Sequence, residues 1–192
     1  MTTAKGRLTV EEYLVLEEAA VERHEFFRGE ILAMSGGTAN HALVAMNVGV
    51  ALNLALRGRP CRVMGADMRI GVVPDDLFTH PDVVVVSGEP RFRRPQQTTL
   101  LNPSLIVEVL SPSTERHDRG FKRFHYQQVE SLREYLLVPQ QAGPVEHFSR
   151  DADGSWRARI LRPNGPLRLP GLDVEVRLED FFLNLVAETP DA

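Results

Sequence analysis

The sequence has a single cysteine, Cys61, among its 192 residues. One cysteine cannot form a disulfide within the chain, and it cannot supply the several thiolates of a multi-cysteine zinc site. The six histidines include no His-Glu-x-x-His pair or comparable spacing, which argues against a histidine-ligated zinc centre. We therefore interpret Cys61 as a small buried hydrophobic residue.

The sequence also has no long hydrophobic run. No apolar stretch approaches the roughly 20 residues of a membrane-spanning helix, and the N-terminus does not have the basic and then apolar pattern of a signal peptide. We therefore expect a cytoplasmic protein without membrane association. The composition, 43% hydrophobic and 25% charged, is ordinary for globular proteins. With no linker, repeat or low-complexity segment, we expect a single domain over residues 1–192.

Positive charge is not in excess. The formal net charge of −4 argues against a protein that coats nucleic acid nonspecifically, because such binding depends on basic side chains that neutralise phosphates. It does not exclude a nuclease, since acids gathered at a metal site lower the net charge and a bound cation restores it locally. Two basic groups could contact a DNA backbone or could be solvated surface: Arg91, Arg93 and Arg94 in a loop, and Arg116, Arg119, Lys122 and Arg123 around one helix.

The order of hydrophobic patterns predicts an α/β fold. Continuous β-branched runs at 81–87 and 105–110 are typical of central strands covered on both faces. An Asp-Gly turn signal at 153–154 predicts a C-terminal β-hairpin from strands 145–150 and 156–161. The other predicted elements are a short helix capped by Thr9, strands at 25–34, 61–73, 135–138 and 172–176, helices at 41–56, 119–129 and 178–185, and a loop at 163–170.

Two carboxylates stand in the apolar segments. Asp82 follows Pro81 at the start of one strand, and Glu108 lies among apolar neighbours in another. An ionised carboxylate in an apolar interior is costly unless it is paired, protonated or bound to a metal, and hard oxygen ligands suit Mg²⁺ or Mn²⁺. Lys122 lies on the following helix, one turn before Tyr126, so both side chains share a helix face. Acid, acid and lysine together favour metal-assisted phosphodiester hydrolysis.

Each of these residues also has a purely structural interpretation. Asp82 would be unremarkable as a turn residue, and Glu108 could be a protonated core glutamate or pair with Lys122 or Arg119. Lys122 could be a surface lysine. Asp118 is interpreted as a helix N-cap, not as part of a catalytic dyad with its neighbouring histidine.

The order of these residues resembles that of a known family. Pro81-Asp82, then Glu108, then Lys122 is similar to the restriction-endonuclease-like PD-(D/E)XK nucleases, and within them to the Uma-type endonuclease family. The superfamily usually carries its lysine two positions after the second acid, where this chain has Leu110, whereas the Uma-type family carries it on the next helix, as Lys122. The resemblance runs along most of the chain and includes segment 25–31, His41, segment 105–114 and segment 134–139.

The resemblance implies both a fold and a chemistry. The implied fold is a restriction-endonuclease-like mixed central β-sheet flanked by helices, and the implied activity is Mg²⁺- or Mn²⁺-dependent endonucleolytic hydrolysis of DNA. Lys122 would orient the attacking water or neutralise a phosphate oxygen. The implied metal ligands are Asp82, Glu108, the Val109 carbonyl and Glu25, which could support a second ion; the further implied catalytic residues are Lys122, His41 and Tyr126.

Two other functions would use the same residues. A noncatalytic binding or scaffold protein would keep the fold and use the acids and Lys122 as a structural ion-pair network. Hydrolysis of RNA or of a nucleotide would use the same metal chemistry as hydrolysis of DNA. Because duplex cleavage needs two strand events and the C-terminal hairpin has an edge, we also expect a homodimer.

Overall fold

The long apolar segments form the middle of a six-stranded sheet. The computed structural model describes residues 7–34, 36–72, 76–95 and 97–187. Adjacent strands of this sheet are antiparallel except for one parallel pair in the middle, so the predicted mixed central sheet is confirmed. In spatial order the strands are β11 (Trp156–Leu161), β10 (Val145–Arg150), β9 (Glu134–Pro139), β8 (Leu105–Leu110), β6 (Val83–Ser87) and β3 (Cys61–Gly65).

A second sheet of five short strands lies beside the helical segment that follows β8. Phe27 of this sheet packs edge-on against Phe121 of that segment, with ring centroids 4.9 Å apart. A two-stranded sheet, β12 (Pro166–Leu169) and β13 (Val174–Arg177), lies near the C-terminus. The strands of the five-stranded sheet, in spatial order, are β2 (Glu30–Ala33), β1 (His24–Phe27), β5 (Leu77–Thr79), β4 (Arg69–Val72) and β7 (Thr99–Leu100).

Threonines begin the two longer helices. The Thr9 hydroxyl accepts a hydrogen bond from the Glu12 N–H, and the Glu12 carboxylate accepts one from the Thr9 N–H. This capping box agrees with the predicted Thr9 cap.

No helix in the described part of the chain is long and apolar enough to cross a bilayer. The helical elements are α1 (Val10–Ala19), α2 (Ala39–Ala55), α3 (Glu115–His117), a π-helical turn (Asp118–Lys122), α4 (Arg123–Tyr126) and a 3₁₀ helix (Leu178–Phe182).

The central strands β6 and β8 are covered on both faces because their side chains enter two cores alternately. Val85 and Val107 pack with Leu52 of α2 in one core, whereas Val84 and Ile106 pack against Tyr126 and Tyr135 in the other. All six residues of β8 are buried. The two-sided burial predicted from the β-branched runs is therefore confirmed, and it places Glu108 on the tyrosine side of the sheet.

The predicted strand at 25–34 is wrong as a single element. It is a hairpin, in which β1 and β2 pair from His24 opposite Ala33 to Phe27 opposite Glu30. The intervening Arg28 and Gly29 have φ of 46° and 94°, as in the primed two-residue turns that join antiparallel strands. Arg-Gly is a weaker sequence signal for such a turn than Asn-Gly or Asp-Gly, which explains why the strand looked continuous.

Other predicted boundaries also needed correction. The strand at 61–73 divides at a turn, residues 65–68, into β3 and β4, which belong to different sheets; its last residue lies outside the described residues. The helix at 119–129 instead runs from Glu115 to Tyr126, and the helix at 178–185 is the shorter 3₁₀ helix. The loop at 163–170 contains β12, because Leu167 and Leu169 enter the core on alternate positions, and the strand at 172–176 is β13.

The predicted C-terminal hairpin is confirmed. β10 and β11 pair along six residues, with Val145 opposite Leu161 and Arg150 opposite Trp156. The turn uses a glycine as expected, since Gly154 has φ of 87° and its N–H donates to a carbonyl three residues earlier at 3.0 Å. β11 therefore forms one edge of the central sheet.

Replacement of Gly29 by alanine should destabilise the protein more than the same change at Gly88. Both glycines have positive φ (94° and 81°), so each alanine introduces about 1 kcal/mol of backbone strain. A Cβ at Gly29 would lie 2.6 Å from the Cβ of Arg7, whereas one at Gly88 would meet no heavy atom within 4 Å among the described residues. We expect Gly29→Ala to lower the free energy of unfolding by roughly 2 kcal/mol more, measured by urea denaturation. Equal losses would contradict this packing.

Candidate active site

Asp82 and Glu108 lie on the same face of the central sheet. Val83 is opposite Val107 in the antiparallel pair of β6 and β8. Asp82 precedes Val83 and Glu108 follows Val107, so Asp82 and Glu108 also stand opposite each other. Opposed residues in an antiparallel pair project to the same side. The Asp82 Oδ2 accepts a 2.7 Å hydrogen bond from the N–H of Val109, which holds this carboxylate against β8.

Glu108 is buried where the sheet faces the following helical segment, with only 3% of its surface exposed. Its Oε1 accepts hydrogen bonds from Nζ of Lys122 at 3.2 Å and from the hydroxyl of Tyr126 at 2.8 Å. The two donors are one helical turn apart, so they leave the same helix face and reach one oxygen. Glu108 is thus paired with Lys122, while Arg119 pairs with other glutamates.

The ammonium of Lys122 contacts three carboxylates. Its Nζ lies 2.9 Å from Oε1 of Glu25, 3.2 Å from Oε1 of Glu108 and 3.2 Å from Oδ1 of Asp118. Lys122 is 5% exposed, so it is not a surface lysine. We call these four residues the acid–lysine cluster. Lys122 lies in a π-helical turn. Such turns are rare in proteins, and many of those known are at functional sites.

The acid–lysine cluster holds more acidic than basic groups. Burial raises the pKa of Glu108 well above its usual range; the charge of Lys122 opposes this rise, and nearby carboxylates including Asp118 add to it. Burial alone would lower the pKa of Lys122, but the contacting carboxylates outweigh burial and raise it. Lys122 therefore stays protonated, and Glu108 is the carboxylate at which a proton or another cation would relieve the surplus negative charge.

Glu25 reaches the cluster from the five-stranded sheet. The Thr79 hydroxyl donates to its Oε1 at 2.5 Å, and Nε2 of His117 lies 3.2 Å from its Oε2. Burial by itself raises the pKa of Glu25, but these hydrogen bonds and the charge of Lys122 lower it to about 2. Glu25 is therefore ionised at neutral pH. Glu30, the other glutamate of the predicted strand 25–34, is exposed on β2.

His41 lies beside Asp82 in the first turn of α2. The N-cap Thr38 accepts a hydrogen bond from the N–H of His41, and Nε2 of the imidazole is 3.4 Å from Oδ2 of Asp82. Hydrogen bonding to Asp82 raises the pKa of His41, although burial opposes the rise. His41 thus contacts Asp82, one of the residues that the resemblance implied as metal ligands.

One cavity of about 300 Å³ joins these groups. Six of the seven site residues named from the sequence line it, and the seventh, Tyr126, reaches the cavity indirectly through its hydrogen bond to Glu108. The fold therefore brings together side chains from both large sheets, α2 and the helical segment after β8. The lining includes Glu25, His41, His80, Asp82, Glu108, Val109, Ser113, Thr114, His117, Asp118 and Lys122.

Three residues in or next to the acid–lysine cluster were missed from the sequence. The interpretation of Asp118 as an N-cap is wrong, because it lies inside the helical segment, is buried and contacts Lys122. Its spacing of four residues from Lys122 was a signal that could have identified it. His117 and Thr79 both contact Glu25, but no local pattern marks either, and β5, which carries Thr79, was not predicted.

The oxygen donors around Asp82 and Glu108 suit a hard divalent cation. Within the described ranges, no three Asp, Glu, His or Cys side chains form a complete metal-ligand set. Two carboxylates with a backbone carbonyl nevertheless fit Mg²⁺, which commonly binds one or two carboxylates and retains several waters. The Asp118 Oδ1 is also buried in this cavity; it lies 3.2 Å from the ammonium of Lys122 but receives no well-aligned hydrogen bond from a described residue. Oxygen donors of this kind belong to the chemical class that Mg²⁺ and Mn²⁺ prefer.

Sequence comparison finds relatives along nearly the whole chain. The Uma2 family model, described as "Putative restriction endonuclease", matches residues 10–180. The uncharacterized protein sll1609 of Synechocystis is 38% identical over 149 residues, which are 78% of this chain and 84% of that protein. The uncharacterized protein slr1290 of the same organism is 34% identical over 179 residues, which are 93% of each chain.

The fold is shared with a solved protein of distant sequence. A crystal structure of "a putative nuclease belonging to DUF820" from Anabaena variabilis has a TM-score of 0.73 with this structure. The match covers 91% of this chain and 97% of the other at 17% identity, so it is evidence for a common fold. Together with the family model, it confirms the restriction-endonuclease-like resemblance. The chain belongs to the Uma2 family, whose description is "Putative restriction endonuclease".

Proposed function

We propose that this protein is a divalent-metal-dependent endonuclease that hydrolyses phosphodiester bonds in DNA. The observation that carries the proposal is the acid–lysine cluster beside Asp82, where buried carboxylates outnumber the single ammonium. Burial, together with the neighbouring carboxylates, raises the pKa of Glu108, and a bound cation would offset the cost of its negative charge. The family description supports a phosphodiester as the bond that is cleaved.

Asp82, Glu108 and the carbonyl of Val109 would hold Mg²⁺ or Mn²⁺. When bound, the ion would lower the pKa of a coordinated water and stabilise the charge that grows on the scissile phosphate. His41 and the Val109 N–H hold the Asp82 carboxylate in place. Tyr126 does the same for Glu108 by donating to its Oε1.

Lys122 would act as a positive charge and hydrogen-bond donor, not as a general base. Its pKa is raised by the surrounding carboxylates, so it has no free lone pair at neutral pH. Glu25 and Asp118 fix the ammonium 3.2 Å from Glu108. Once a cation is bound to Glu108, the N–H that Nζ donates to Glu108 could turn to a phosphate oxygen or to the attacking water. In this proposal Glu25 positions Lys122, and Thr79 and His117 position Glu25.

Contacts with the DNA backbone would come from basic residues around the cavity. Arg116 is exposed and precedes His117, which lines the cavity. Arg93 of the predicted basic loop instead forms an ion pair with Glu11 at 3.0 Å. Arg116 is therefore the first candidate for a phosphate contact, since its charge is beside the site and open to solvent.

The contacts of Lys122 also favour a second candidate, a noncatalytic protein in which the cluster is a structural ion-pair network. Lys122 connects β1, β8 and the π-helical turn directly. Removal of one partner from a buried ion pair typically costs about 3–5 kcal/mol because a charge is left uncompensated. This candidate predicts no metal affinity and no hydrolysis.

Nicking of plasmid DNA should require Mg²⁺ or Mn²⁺ and both strand carboxylates. Asp82→Asn and Glu108→Gln keep the side-chain shape but remove the charge that binds the ion, so we expect nicking rates to fall at least about 100-fold. Glu30→Gln, at an exposed glutamate, should retain the wild-type rate. Parallel reactions with single-stranded DNA and RNA test the substrate: cleavage of RNA alone would contradict the DNA assignment, and equal cleavage by all variants would contradict the residue roles.

Calorimetric titration with Mn²⁺ should release or absorb heat with the wild-type protein. We expect Asp82→Asn to weaken binding by at least about tenfold, because one of two carboxylate ligands is lost. Glu30→Gln serves again as the matched control and should bind like wild type. If the wild-type protein gives no binding heat, the structural network is favoured over the enzyme.

Replacement of Glu25 by glutamine should destabilise the protein at neutral pH and less in acid. The pKa of Glu25 is lowered from 4.5 to about 2 in the folded state. The ionised carboxylate therefore stabilises the folded state fully above the unfolded pKa, and this stabilisation is lost as pH falls through about 2. The shift corresponds to a loss on the order of 3 kcal/mol at about pH 7, measured by urea unfolding. Glu30→Gln should have little effect at any pH. A loss in Glu25→Gln that does not shrink below about pH 4 would contradict an ionised Glu25.

A further inference from the structure

An exposed apolar groove lies at the β3 edge of the central sheet, which is the edge opposite the C-terminal hairpin. Met46, Val50 and Leu54 of α2 are 67%, 50% and 58% exposed, and their spacing of four residues places them in one stripe along the helix. This stripe and residues of β3, including Val63, line a groove of about 540 Å³. A contiguous apolar surface of this kind indicates an interaction site.

The backbone of β3 points hydrogen-bonding groups toward the same side. The Val85 carbonyl accepts from the N–H of Ser104, on the β8 side of β6, so it points away from β3. Val63 is opposite Val85. Because the Val85 carbonyl points toward β8, Val63 and Val85 form a non-hydrogen-bonded pair of the antiparallel ladder. The N–H and C=O of Val63 consequently face the outer edge of β3, with which no strand of the described residues pairs.

We propose that a second copy of this chain covers the groove, with the two β3 strands paired antiparallel about a two-fold axis at Val63. An edge strand is complementary to itself in this arrangement, because each Val63 N–H meets the Val63 carbonyl of the other copy. Val63 packs on the α2 side of the sheet. The same axis therefore brings the two α2 stripes together on one face of a continuous twelve-stranded sheet, twice the six strands of one chain.

The charges at the ends of β3 do not oppose a second copy as the partner. Arg59 and Arg62 at its N-terminal end form ion pairs with Asp173 and Glu89, and Asp67 after its C-terminal end pairs with Arg23. Antiparallel pairing about Val63 places the arginine end of one copy beside the aspartate end of the other. Because each of these charges has an opposite charge beside it in its own chain, no excess of like charge meets at the interface.

The opposite edge of the sheet is less suited to pairing. β11 exposes Arg157 and Arg159, and charged side chains on an edge strand discourage further pairing. Ile160 is the one large apolar side chain of β11 that is fully exposed, at 76%; on the same face Ala158 is exposed but small, and Trp156 is half-buried. The homodimer expected from the sequence is thus assigned to β3 and α2 instead of the hairpin. Asp82 lines both the groove and the catalytic cavity, so this interface lies next to the site.

Light scattering coupled to gel filtration tests the proposal without any assay of cleavage. The wild-type protein should have twice the chain mass of 21.5 kDa. Val50→Glu places a charge in the apolar stripe at a half-exposed position and should raise the dimer dissociation constant at least about 100-fold. Ile160→Glu makes the same kind of change on β11 and should leave the dimer intact. Circular dichroism of both variants checks that the fold is retained.

An engineered disulfide tests the position of the axis. Bonded residues opposite each other in an antiparallel pair have Cα atoms about 5.5 Å apart, which suits a disulfide. In a Cys61→Ser background, Val63→Cys should therefore form a covalent dimer on oxidation, whereas Ala158→Cys on β11 should not. A monomeric wild type, a dimer that persists in Val50→Glu, or cross-linking through Ala158→Cys instead of Val63→Cys would overturn the proposal.

Discussion

The ammonium group of Lys122 joins the two large sheets at the candidate active site. Glu25 reaches it from the five-stranded sheet, Glu108 from the central sheet and Asp118 from the π-helical turn. All four residues are nearly inaccessible to solvent, so a carboxylate left without this partner would be an uncompensated buried charge. The two sheets also share an apolar core, and the geometry of the cavity beside that core depends on the contacts of Lys122.

The cluster also separates the roles of its acids. Glu25 is held ionised by hydrogen bonds and by the lysine, with a pKa of about 2, whereas burial and neighbouring charges raise the pKa of Glu108. One acid thus secures the ammonium, and the other carries the unfavourable charge that a metal would offset. Asp82, fixed by Val109 and His41, completes a site whose side chains are held in place before any ligand binds.

The parts of the fold that could be predicted from sequence are those with strong local patterns. The β-branched runs of β6 and β8 require cover on both faces, and the Asp-Gly signal of the C-terminal hairpin identifies its turn. The missed features have weak local signals: the Arg28-Gly29 turn, the reversal after Gly65, and β5 and β7, which have three and two residues. Such short strands exist because neighbouring strands pair with them, not because of their own periodicity.

The sequence by itself determined that Glu108 needs a partner, because apolar neighbours surround it, and that Lys122 and Tyr126 share a face, because one helical turn separates them. It also carried the order of acids and lysine that is typical of the Uma2 family. Only the tertiary structure decided which carboxylates meet Lys122 and that Thr79 and His117 hold Glu25. The physical reason is that residue spacing reports contacts within one helix or strand, whereas contacts between sheets depend on how the whole chain packs.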